Sequence, residues 1–151
     1  MKILLPLDGS EVSLQAVRQV IRLVRQGLQV DVLLANVQEP PQLYEMVMAA
    51  DPALIARASA QAGAKALKAG EALLRHAGIG YATEVAVGDP AHTLIDIVER
   101  FGIDMVVMGA RDKGSLRSAL LGSVSHELLH AAQVPVMLIK PRDEDASEAL
   151  G

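Results

Sequence analysis

Apolar residues fall in short runs along the chain, separated by segments with helical spacing. Residues 2–7 (KILLPL) are apolar at successive positions instead of alternating, the mark of a strand buried on both faces. After Asp8-Gly9-Ser10 the stripe Leu14, Val17, Ile21, Val24 and Leu28 recurs every three or four residues, which predicts a helix ended near Gly27. Residues 30–37 (VDVLLANV) predict a second strand. QEPPQ at 38–42 breaks the pattern, and a Met-bearing segment (Tyr44, Met46, Met48) follows. Residues 53–76 predict a long Ala-rich helix stopped by Gly78. Its internal Gly63 and Gly70 each cost about 1 kcal/mol relative to Ala, so packing must hold it.

Residues 81–87 (YATEVAV) alternate more clearly, as a strand near a sheet edge would. In the helix predicted over 88–102, Asp89 is the N-cap, Pro90 the first helical residue and Gly102 the stop. Residues 103–108 predict a buried strand, about 118–132 a helix, and 134–139 (VPVMLI) the last strand. Strands alternating with helices imply right-handed crossovers and a parallel sheet covered on both faces. The fold class is therefore a single doubly wound, Rossmann-like α/β domain over 1–140. The charged segment 141–151 is expected to be a flexible tail.

Composition narrows the chemistry. Aromatics are 2 % of residues, so platforms for stacking bases are lacking, and the net charge of -4 opposes general nucleic-acid binding. With no Cys there is no disulfide or thiol chemistry. The apolar run at the amino terminus is too short for a signal segment, and none is long enough to cross a membrane, so a cytoplasmic location is expected.

In a doubly wound sheet, ligands collect beyond the carboxyl ends of the strands where the winding reverses. The turns there are PLDGS (6–10) and MGARDKGS (108–115), polar and Gly-containing, as a ligand cleft or any strand-to-helix turn requires. Residues 109–125 (GARDKGSLRSALLGSVS) add two phosphate devices. Gly109 and Gly114 allow close backbone approach to an anion, and GSVS (122–125) lies at the start of a helix, where amides and hydroxyls hold oxygens. Arg111, Lys113 and Arg117 supply positive charge. The bland alternative is a solvated loop leading to a Ser-capped helix. A P-loop is excluded because Ser115, not Lys, follows Gly114, and no GxGxxG follows the first strand.

Three segments together, LLPLDGS (4–10), VGDPAHTLIDIVERFGIDMVVMGAR (87–111) and LLGSVSHELLHAAQVPVMLIK (120–140), make residues 1–140 resemble a universal stress protein domain of the UspA type. The resemblance implies the sheet order 3-2-1-4-5, homodimerisation through the last strand (Val134–Ile139) and, in one branch of the family, ATP binding. That branch carries Gly, two residues, Gly, nine residues, then Gly-Ser or Gly-Thr. Gly109 and Gly122-Ser123 match it, whereas Asp112 replaces the middle glycine. Carried over by position, Asp8 and the Val37 backbone face adenine or ribose, and Pro6, Leu7 and Met108 line the cleft. Gly109, Arg111, Gly122, Ser123, Val124 and Ser125 surround ribose and phosphates.

Asp112 is the departure that matters. A carboxylate about 4 Å from a phosphate charge costs roughly 1 kcal/mol in water and about 4 kcal/mol at an effective dielectric of 20. That is roughly a five- to thousandfold loss of affinity. Arg111 and Lys113, a Mg²⁺ ion, or a register shift onto Gly114 are the available compensations. The expected function is weakened ATP binding in stress response, by a homodimer without efficient catalysis, since no general base is evident. The alternative is a protein-interaction module of the same fold that binds no nucleotide. HELLH (126–130) fits the zinc-protease pattern, but helical spacing buries Leu121, Val124, Leu128 and Ala131 and turns His126 and His130 to solvent, so the match is read as chance.

Overall fold

The computed structural model describes residues 1–40, 51–110 and 122–141. The elements are β1 (Lys2–Pro6), α1 (Glu11–Arg25), β2 (Asp31–Gln38), α2 (Pro52–His76), β3 (Tyr81–Val87), α3 (Pro90–Phe101), β4 (Met105–Gly109), α4 (Ser123–Ala131) and β5 (Val136–Ile139). The strands form one parallel sheet in the order β3-β2-β1-β4-β5.

Alternation along the central strands sends side chains to two cores, one on each face. Ile3, Leu5, Leu7, Val32, Leu34 and Val107 pack with Ala16, Val17 and Val20 of α1 and Leu67 and Leu74 of α2. Leu4, Leu33, Ala35, Val106 and Met108 pack with Leu94, Ile97 and Val98 of α3 and Leu128 of α4. This is why the runs 2–7 and 30–37 are apolar throughout, and why β3, at the edge, alternates.

The boundaries differ from the predicted ones for local reasons. Ile103 N–H donates to the Val98 carbonyl, so Ile103 belongs to the turn that closes α3 at left-handed Gly102 (φ 62°). Pro135 has no N–H to give the ladder, and β5 starts one residue later. The α1 face is rotated slightly from the predicted stripe: Ala16 and Val20 are buried, and Leu14 is only half-buried. In α4 the buried positions are Ser125 and Leu128. Ala131, expected to be buried, is exposed because the helix ends there. The predicted helix start near 118, Leu121, the segment 43–48 and the tail beyond residue 141 lie outside the described residues.

The two glycines of α2 have a packing role. A Cβ on Gly63 would lie 2.4 Å from Val85 Cγ1, and one on Gly70 2.4 Å from Leu7 Cδ1. Both glycines fall on the buried stripe with Leu67 and Leu74, so α2 approaches the sheet more closely than Ala would allow. The propensity cost read from the sequence is offset by this contact. Among the described residues no helix is long and apolar enough to cross a membrane.

Candidate functional site

The winding of the sheet reverses between β1 and β4, and those strands part towards their carboxyl ends. Their ladder pairs Ile3 with Met105 and Leu4 with Val106. Further along, Leu7 N–H donates to Ala35 of β2, and Ala110 N–H donates to Ile139 of β5. Each central strand thus turns to its outer neighbour, and a cleft opens between Pro6–Asp8 and Met108–Gly109. Its volume is about 230 Å³.

Asp8-Gly9-Ser10 turns β1 into α1. Gly9 has a positive φ of 84°, Ser10 N–H donates to Asp8 Oδ1 at 2.9 Å, and Ser10 Oγ caps α1 by accepting from Ser13 N–H at 3.3 Å. The first turn of α1 thereby reaches the cleft through Val12 and Ser13. Gly109 lets β4 pass beneath it: a Cβ there would lie 2.5 Å from the Val12 carbonyl oxygen. At the opposite wall α4 begins at Gly122, which makes no side-chain cap. His126 N–H is the first helical amide paired inside α4, to Gly122 O. The amides of Ser123, Val124 and Ser125 precede it at the positive end of the helix, against the cleft.

Of the residues expected around a nucleotide, Pro6, Leu7, Asp8, Val37, Met108, Gly109, Gly122, Ser123, Val124 and Ser125 line this one cleft. Arg111 and Asp112 lie outside the described residues, as do Lys113, Gly114 and Arg117. Sequence reasoning missed Asn36, Glu39, Pro90 and Leu94, which also line it. Asn36 had a legible signal, a lone amide inside an apolar strand. It is 4 % exposed; its Nδ2 donates to the Leu7 carbonyl at 2.7 Å, and its Oδ1 accepts from Gln38 Nε2 at 2.7 Å. Pro90 and Leu94 come from the crossover helix α3, capped by Asp89. The Asp89 carboxyl is held below the ordinary carboxylate range, first by the His92 backbone N–H and then by the His92 ring. The stabilisation from that ionised cap is present above the ordinary range and is lost as pH falls through the lowered value.

His126 and His130 are exposed on α4, their rings edge to face with centroids 4.6 Å apart. They point away from the buried face, as helical spacing requires.

A family model described as the universal stress protein family matches residues 1–140. The chain belongs to the universal stress protein family. Universal stress protein MJ0531 of Methanocaldococcus jannaschii is 30 % identical over 144 residues, covering 95 % of this chain and 84 % of that protein. The solved structure of MJ0577 has a TM-score of 0.78 at 25 % identity, covering 94 % of this chain and 96 % of that one. A universal stress protein family protein from Arabidopsis thaliana, solved with AMP bound, shares the fold at a TM-score of 0.69 and 22 % identity, covering 96 % and 94 %. Sheet order and helix placement are those expected of the family.

Proposed function

We propose that this universal stress protein is a cytoplasmic ATP-binding regulator rather than an efficient catalyst. The observation that carries the reading is the uncapped amino end of α4 facing the same cleft as the strand ends. Apolar Pro6, Leu7 and Met108 suit a base, Asp8 and the Val37 backbone offer polar contacts to adenine or ribose, and the α4 amides with Ser123 and Ser125 suit phosphates. The 230 Å³ volume lies below the roughly 300–1,000 Å³ of drug-sized pockets. It suits the nucleoside portion, with the phosphates reaching over α4 towards residues 111–121. The AMP-bound Arabidopsis relative supports adenine-nucleotide chemistry on this fold.

Asp112 favours the second reading, a protein-interaction module without nucleotide. Calorimetric titration with ATP, with and without Mg²⁺, separates the two when repeated on Asp112→Gly. The expected result is binding by both proteins, tighter in the variant by roughly five- to thousandfold, the repulsion of one carboxylate. Silence from both at millimolar ATP sinks the nucleotide reading. Binding by the variant alone assigns the natural protein to the module.

Homodimerisation through 134–139 belongs to the same proposal. β5 is an edge strand of half-buried Val136, Met137, Leu138 and Ile139, and pairing with its own copy covers that edge. Light scattering is expected to return twice the 16.0 kDa chain mass. Met137→Lys, which sets like charges across the pairing, is expected to shift the protein towards monomer, and a wild-type monomer refutes the arrangement.

A further inference from the structure

Beside the cleft, two helices bring together a set of metal-ligand side chains. Asp89 precedes Pro90 at the start of α3, His92 lies in its first turn, and Glu127 projects from α4 one turn after Ser123. One ligand atom from each, two carboxylate oxygens and one imidazole nitrogen, lie within 4.8 Å of one another, and all three residues are exposed. His92 Nδ1 is already 2.7 Å from Asp89 Oδ2. Donors sharing a tetrahedral ion at about 2.0–2.2 Å stand roughly 3.3–3.6 Å apart. The three atoms therefore need only rotation of solvent-exposed side chains to converge, with no backbone movement.

The ligand set also selects the ion. Mg²⁺ and Ca²⁺ take oxygen donors, and an imidazole adds little for them. One imidazole with two carboxylates suits Zn²⁺, Co²⁺ or Ni²⁺, with water completing the shell. The carboxylates come from separate crossover units, so a shared ion ties the start of α3 to the first turns of α4. Both segments wall the cleft, through Pro90 and through Ser123 and Val124. We propose that Asp89, His92 and Glu127 form a surface site for a zinc-class divalent cation that clamps α3 to α4 at the rim of the cleft.

The competing holder of such an ion is the neighbouring pair His126 and His130, one turn apart on α4. The full chain, free of any polyhistidine tag and of nucleotide, is titrated with Zn²⁺ by calorimetry and with Co²⁺ by visible absorption. One ion per chain is expected, with His92→Ala and Glu127→Gln each weakening it at least tenfold. Loss of an outer-shell partner already costs roughly 10–100-fold, and a direct ligand costs no less. The His126→Ala/His130→Ala protein is expected to keep its affinity. Thermal melts without metal should coincide for all four proteins, because His92 keeps its backbone N–H bond to Asp89 and Glu127 is exposed. No saturable binding at millimolar Zn²⁺ overturns the proposal. So does binding that survives His92→Ala and Glu127→Gln, or binding that disappears only with the α4 histidine pair.

Discussion

Replacing Gly109 with alanine is expected to lower the free energy of unfolding by about 1–3 kcal/mol, the usual cost of overpacking. It is also expected to weaken ATP binding at least tenfold, about 1.4 kcal/mol. The added Cβ would lie 2.5 Å from the Val12 carbonyl oxygen, 2.8 Å from its carbon and 3.0 Å from Val12 Cγ2. The two nearest atoms are backbone, so no rotamer change relieves the contact. Either the first turn of α1 lifts or the end of β4 drops, and Val12 and Gly109 are both cleft wall. The turn is also held by the Ser10 cap and by Leu14 N–H donating to the Ser10 carbonyl, so lifting it loosens those bonds. Gly80→Ala is the control, since a Cβ there meets nothing within 4 Å. Denaturant unfolding and ATP calorimetry on both variants decide the matter. If Gly109→Ala behaves like Gly80→Ala in stability and affinity, the close approach of β4 to α1 does not shape the site.

Most of the architecture was legible because its physical signals are local. β1, β2 and β4 are apolar on both faces because each lies between two covered layers, and α3 carries its start and stop in Asp89, Pro90 and Gly102. The cleft was legible where it follows from topology: the strand ends at the point of reversal and the start of α4. Its other wall was not. Pro90 and Leu94 reach the site because the crossover from β3 to β4 lays α3 beneath it, a placement that no spacing within 88–102 encodes. Gly63 and Gly70 show a different limit. Helix propensity records only their cost, whereas their benefit lies in contacts to Val85 and Leu7, distant in sequence. HELLH shows the reverse case, a local pattern with catalytic spacing whose histidines stand in solvent. Asp89, His92 and Glu127 escaped a motif search because their proximity depends on two helices meeting.

Asn36→Asp changes one atom in this cleft and is expected to cost about 3–5 kcal/mol at neutral pH, the scale of an uncompensated buried charge. The amide nitrogen of Asn36 is the donor that satisfies the Leu7 carbonyl, at 2.7 Å and almost out of reach of water. An ionised carboxylate turns that contact into oxygen against oxygen. Asp8 and Glu39 line the same cleft and add like charge. The new carboxyl is therefore raised above the ordinary carboxylate value of about 3.9. Its protonated form still donates to Leu7, so the variant keeps near-native stability below the ordinary value. It loses that stability as pH rises through the raised one. Asn36→Leu separates charge from hydrogen bonding: it strands the Leu7 carbonyl at a cost of about 1–3 kcal/mol but introduces no titrating group. Urea unfolding from acid to neutral pH should show the two variants diverging, the Asp protein falling away from wild type while the Leu protein keeps a constant offset. Parallel curves for the two would mean that the Asn36 amide does not hold the end of β1. The same charge is expected to weaken ATP binding further, because the carboxylate would face an anionic ligand in a cleft that already contains Asp8.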